Sequence, residues 1–363
     1  MKYLMKRIIY CATIVILLVC RPSAGRSIHR PHDPKMPTLR VSWEGSDKSY
    51  VVKSYYLQEY PFFKVANLSY LMRHELPDGP ISYRHDNQRT VNGAEIKKQI
   101  DRLINEIHEK KTKFTDFVVL QDKDFNRNSR CGLIVLKSKH YPFVVKLFME
   151  HPESFINPYN KGIEPIFFYF MGGGVNRHLT GLTRIRNREL VLEKLAQSPT
   201  WKDQVDIPQK WFLLPTKNRW MILKGYHIGH KEYQELKIPS VYCIVEEAVE
   251  ADRKFSLKSV DDRSRALDLC NDIQLNIDPH ITNFIIEKET KKLVIIDTEH
   301  FPTIVGLEAR KTFPSYFAWY SHLVGKFCKD TLFTTKRERR LKMSNPNPNH
   351  LCYPKELTDE TCL

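Results

Sequence analysis

Two short apolar stretches, NFII (283–286) and LVII (293–296), are separated only by the polar run EKETKK (287–292). That spacing leaves room for a hairpin and for no further element. A helical pattern over Val260–Leu275 precedes them, with Ala266, Leu267, Leu269, Cys270 and Ile273 forming an apolar stripe, and it delivers the chain into NIDPHITN. Asp278 and Asn283 therefore stand at the two ends of one tight loop, and Asp297 closes the second strand. A hairpin with this entry brings three polar side chains toward a single cleft.

Further upstream, FVVL (117–120), GLIVLK (132–137) and PFVVKLF (142–148) predict three strands of a local antiparallel meander. SKHY suits the turn of a hairpin, whereas QDKDFNRNSRC is a polar loop long enough to cover a ligand. Lys146 lies in the third of these strands. Helices are expected over Ala94–Lys110, where Ile96, Ile100, Leu103, Ile104 and Ile107 recur at three and four residues, and over Arg186–Gln197, with Glu189 and Glu193 on one side. WFLL, RWMILK and VYCIVEEAV predict more strands before a break near Asp252, and residues 149–183 read as an irregular insertion. A last, aromatic-rich helix is expected over Pro314–Cys328, its aromatics forming core unless they are exposed.

Length and composition bound the class. The chain has 363 residues, 42% hydrophobic and 11% aromatic, which suits a globular protein with a sizeable core. Lys2, Lys6 and Arg7 precede an apolar run from Ile8 to Cys20, and Ser23 and Gly25 follow at cleavage-like spacing, so an export signal over residues 1–25 is expected, with an uncleaved anchor as the alternative. Removing its four basic residues from the formal charge of +15 leaves +11. Such a surface favours acidic partners, among them nucleotides, anionic membrane surfaces and polyanionic glycans. The basic residues are dispersed, except for KRERR (336–340), and no aromatic platform is interleaved with them, so no specific nucleic acid is expected. Cys131, Cys243, Cys270, Cys328, Cys352 and Cys362 remain after the signal, an even number that permits disulfides in an exported chain but no zinc spacing.

Phosphoryl transfer asks a protein mostly for positioning. A carboxylate orients the acceptor hydroxyl, oxygen ligands hold Mg²⁺, and a lysine fixes the phosphates. Asp278, Asn283, Asp297 and Lys146 are the residue types that this chemistry uses. DPHITN (278–283) fits Asp-x-His-x-x-Asn, and IIDTE (295–299) fits a hydrophobic strand followed by Asp and then Glu two positions on. In these segments the chain resembles the protein-kinase-like superfamily, nearer its aminoglycoside and small-molecule phosphotransferase side. The resemblance implies Asp278 as base, Asn283 and Asp297 as Mg²⁺ ligands, and Lys146 as the lysine on the ATP phosphates. It also implies Glu189 or Glu193 as the partner of Lys146, and VEEAV around Glu247 as the adenine-facing hinge. Three departures stand beside it: only Gly132 is left of a Gly-rich loop, Asn276 replaces the usual His or Tyr, and Thr298-Glu299 follows Asp297.

The expected fold is α+β and two-lobed, protein-kinase-like, with an antiparallel-sheet N-lobe and a mainly helical C-lobe. The expected parts are the signal (1–25), an N-terminal extension (26–115), the N-lobe (116–251), a short C-lobe with the catalytic loop (252–345) and a Pro/Cys tail (346–363). The expected function is an exported kinase that uses Mg²⁺ and ATP on a hydroxyl of an unknown protein or small-molecule acceptor. Its alternatives are a pseudokinase-type binding module and a cell-envelope protein without nucleotide. His280 reads as a loop-packing residue and Gly172–Gly174 as a flexible turn.

Overall fold

The computed structural model describes residues 37–53, 68–122, 124–154, 174–228, 231–274, 278–299 and 312–321. The expected signal, the Pro/Cys tail, KRERR, Asn276, Gly172, Gly173, Cys328, Cys352 and Cys362 lie outside them. In chain order the first elements are β1 (Thr38–Trp43), β2 (Ser49–Lys53), helix α1 (Leu68–Arg73), β3 (Pro80–Tyr83), β4 (Asp86–Asn92) and helix α2 (Gly93–His108). β5 (Phe117–Gln121), β6 (Phe125–Asn126), β7 (Cys131–Ser138) and β8 (Phe143–Met149) follow, and then helices α3 (Gly174–Gly181) and α4 (Thr183–Gln197). β9 (Val205–Asp206), β10 (Lys210–Leu213), β11 (Trp220–Ile228), β12 (Lys231–Pro239), β13 (Val241–Glu247) and β14 (Ala251–Lys254) lead to helix α5 (Val260–Ile273), β15 (Phe284–Glu287) and β16 (Leu293–Ile295). The chain is thus α+β, with mainly antiparallel sheets.

The central sheet has the order β10-β13-β8-β7-β5, with β6 paired to β7, and it is buried on both faces. Successive side chains of a strand point to opposite faces. Phe143, Val145, Leu147 and Met149 of β8, with Val241, Cys243 and Val245 of β13, accordingly meet the apolar stripe of α2, which is Ile96, Ile100, Leu103, Ile104 and Ile107. Burial of each such α2 side chain is worth about 1.5–3 kcal/mol against leaving it in water. Phe148, Phe212, Tyr242 and Ile244 point the other way, against a second sheet of order β12-β11-β1-β2 and against α1 and α3. Lys146 and Glu246 share that second face by the same alternation. Asn92 caps α2, its side-chain oxygen accepting from Ala94 N–H at 2.9 Å, which satisfies one of the free donors of the first turn.

A third sheet, β14-β15-β16-β9, joins β16 to β9 in parallel and covers a core built from Ala266, Leu269, Cys270 and Ile273 of α5 with Phe284, Ile286, Leu293, Ile295 and Trp319. Ser259 caps α5 by accepting from Asp262 N–H at 3.1 Å, and Gln274 in the left-handed conformation ends it. α4 belongs to two cores, placing Ile185 among the β11 and β12 residues and Val191 and Leu195 against α5.

Several expectations need correction. The boundary at 115/116 falls inside one set of layers, because β1 pairs with β11 and α2 covers the central sheet. β3, β4 and β12 were not expected. The expected irregular stretch 149–183 contains α3, which begins at Gly174, and α4 starts at Thr183, three residues before its expected first turn. From β14 onward the described chain has more helix than strand, α5 and a further helical turn at 316–321 against the short strands β14, β15 and β16, and those strands add a small sheet to the expected helical part. Tyr316 and Trp319 are core residues, whereas Phe317 and Tyr320 are exposed. Cys131 and Cys243 are thiols, not disulfide partners, and burial pushes the Cys131 thiol up to about 11. Among the described residues no helix is long and apolar enough to cross a membrane.

Candidate active site

The β15–β16 hairpin sets the site. Asn283 ends a 3-10 turn (Ile281–Asn283), and its carbonyl accepts from Ile296 N–H at 3.0 Å, which ties the loop to the residue before Asp297. The Asn283 side-chain amide donates to Asp278 O at 3.2 Å, and His280 N–H donates to the Asp278 carboxylate at 3.0 Å. Tyr316 Oη secures the same loop from below through Pro279 O at 2.5 Å. His280 is exposed and bonds Thr282 at 2.6 Å, a local loop contact. Burial pushes the Asp278 carboxyl up to about 6; the His280 N–H opposes this, and the Glu299 and Asp297 charges add to it.

Lys146 reaches this hairpin from the central sheet. Its Nζ lies 3.7 Å from Asp297 Oδ1 and 3.4 Å from Ile296 O. Asp278, Asn283, Asp297 and Lys146 are therefore brought to one region. Asp297 is also gripped by Arg184 of α4, through Nε at 3.1 Å to Oδ1 and a terminal nitrogen at 3.4 Å to Oδ2. Arg184 extends to Glu299 at 3.2 Å, whose other oxygen accepts from Thr180 at 2.6 Å. Burial alone would raise the Asp297 carboxyl, but Arg184, Lys146 and Lys210 hold it well below the usual carboxylate range. Thr298 adds a clasp to α4, donating to Arg184 O at 2.8 Å and accepting from Asn187 at 2.9 Å.

The expected partners of Lys146 are elsewhere. Glu189 bonds Tyr70 of α1 and faces His74 at 3.3 Å and Arg186 at 3.5 Å, and Glu193 is exposed. Glu246 takes Lys146 instead, at 3.1 Å. Glu247 ends β13, where it accepts from Gln209 N–H at 2.8 Å and from Arg84 at 3.2 Å, so its side chain serves the packing of the β3–β4 turn. Arg84 also holds Glu287 at 2.6 Å and Asp206 at 2.7 Å. His85, Asp206 and Glu287 have their ligand atoms within 4.8 Å of one another, but the Arg84 guanidinium already supplies the positive charge of that cluster. Gly132 has φ +108°, and a Cβ there would lie 2.1 Å from Asp124 O, so this glycine lets the polar loop fold back onto β7. Comparison of the chain with protein-family models, with curated proteins and with solved structures gives no match.

Asn283 and Asp297 offer hard oxygen ligands of the kind that Mg²⁺ prefers. The Asn283 amide nitrogen faces Asp278 O, which turns the amide oxygen away from it. On Asp297, Oδ1 is occupied by Arg184, Lys146 and the Glu299 N–H, whereas among the described residues Oδ2 has only the 3.4 Å contact, and the side chain stays 23% exposed. Donors of this kind orient a ligating carboxylate as outer-shell partners do, so the residues fit the ion.

Proposed function

We propose that this chain is an exported kinase-like phosphotransferase that binds a nucleoside triphosphate and passes a phosphoryl group to a hydroxyl of a protein or small-molecule acceptor. The observation that supports this most is the meeting of Lys146 with Ile296 and Asp297, across 150 positions of sequence, beside the loop that carries Asp278 and Asn283. A central antiparallel sheet with the lysine strand in its middle, and a smaller helix-and-hairpin unit beyond β14, support a two-lobed kinase-like arrangement. Lys146 would hold the phosphates, and Asp278 would orient the acceptor hydroxyl and take its proton. Held by Asn283 and Asp297, Mg²⁺ would supply charge neutralisation at the phosphate oxygens. One observation favours a second reading, a pseudokinase-type binding module: Arg184 competes with any cation for Asp297.

A ligand bound only by the folded state raises its melting temperature, by an amount equivalent to about 2.7 kcal/mol at a hundredfold excess over Kd. Millimolar ATP with Mg²⁺ is expected to shift the unfolding of residues 26–363 upward, and Asp297→Asn is expected to remove most of that shift. No shift for the unaltered chain rejects nucleotide binding. A shift without phosphate transfer to any acceptor hydroxyl selects the binding module.

A further inference from the structure

Glu246 is a buried carboxylate shared by two ammonium groups. β10 and β13 run antiparallel with Lys210 directly opposite Glu246, and in the β8–β13 register Lys146 lies opposite Ile244, two residues along the strand from Glu246. Side chains two apart on a strand share a face, and diagonal cross-strand neighbours are within reach of long side chains. All three groups therefore converge on one side of the sheet. One Glu246 oxygen takes Lys146 at 3.1 Å and the other takes Lys210. Both amines also donate to Ile296 O, Lys146 at 3.4 Å and Lys210 at 3.3 Å, immediately before Asp297 in the chain. The Lys210 side chain is fully buried, whereas Lys146 keeps 9% exposure and its contact with Asp297.

We propose that Lys210 is a positioning residue, which by occupying one oxygen of Glu246 holds the Lys146 amine against Asp297 and leaves a positive charge there for the phosphates of a nucleotide. The inference rests on the nucleotide-binding reading above. Two consequences of the geometry carry it. With Lys210 present, the two lysines and Glu246 sum to one positive charge; without it they sum to zero, and Lys146 becomes the sole counterion of a buried carboxylate. The carboxylate that Lys146 shares with Lys210 is also drawn from the neighbouring strand β13, since Glu189 is engaged by α1 and Glu193 faces solvent. The Glu246 contact of the amine is thus set by the β8–β13–β10 register and not by a carboxylate of α4.

The test compares ATP and adenosine binding by calorimetry for the full chain and for Lys210→Met and Lys210→Arg, after the melting temperature of each without ligand. Lys210→Met is expected to weaken ATP by about tenfold or more while adenosine changes by less than about twofold, and Lys210→Arg is expected to restore ATP binding, since charge attraction acts on the phosphates alone. A parallel loss of both ligands, or no loss of ATP, overturns the role. Should the Met variant not fold, Lys210→Gln keeps a donor for Glu246, removes the charge and is judged by the same criterion. If the unaltered chain binds neither ligand, the nucleotide reading itself fails, and this role fails with it.

Discussion

Replacement of Arg184 by methionine is expected to destabilise the folded chain by about 3–5 kcal/mol at neutral pH, the usual cost of removing one partner of a buried ion pair. Arg184 is 1% exposed and stands between Asp297 and Glu299, with its guanidinium also over the Phe148 ring at 5.4 Å. Methionine fills much of the volume but removes the guanidinium that Asp297 and Glu299, the latter 3% exposed, share. The effect should depend on pH in a definite sense. Asp297 is held below its ordinary 3.8, so its contribution is present at pH values above about 4 and is lost as pH falls toward its lower folded value. The gap between unaltered chain and variant should therefore be widest near neutrality and narrow in acid. Urea midpoints across that range check it; a gap under about 1 kcal/mol, or one independent of pH, contradicts the role given to Arg184.

Asp278→Asn is expected to lower turnover by about 10²–10⁴-fold while leaving ATP affinity nearly unchanged, because a positioned base acts on the acceptor and not on the nucleotide. A base must be ionised to accept the proton. With its carboxyl raised to about 6, Asp278 is expected to give a kcat/KM that climbs as pH rises through about 6 and then levels. The variant should be slow and lack this acid limb. Equal loss of binding and turnover, or an acid limb that survives the substitution, contradicts the assignment.

What the sequence made legible follows from local pattern. The meander around Lys146, the stripe of α2, the helix before the loop and the NFII/LVII hairpin all carry periodicities strong enough to place them. β4 (DNQRTVN) and β12 (KEYQELKIP) are largely polar and half exposed, so alternation is faint there. Arg184 escaped because the expected helix began at Arg186, leaving this side chain in an apparent connection; α4 begins at Thr183. Lys210 escaped at a strand boundary in the same way, since WFLL looks like the whole strand whereas β10 starts one residue earlier. Glu246 and Glu247 are adjacent, and only the cross-strand register decides which shares a face with Lys146. Glu189 is a helix-face carboxylate whose true partners, Tyr70 and His74, come from a distant segment.

The central claim is that the Lys146 amine faces the phosphates of a nucleotide lodged beside Asp297. An acyl-phosphate derivative of ATP transfers its acyl group to a lysine amine held near the phosphates, and mass spectrometry of the digested chain locates that lysine. The predicted result is acylation of Lys146, suppressed by excess ATP, with the fully buried Lys210 unlabelled. Labelling spread over surface lysines and unaffected by ATP, with Lys146 unmodified, would contradict the claim.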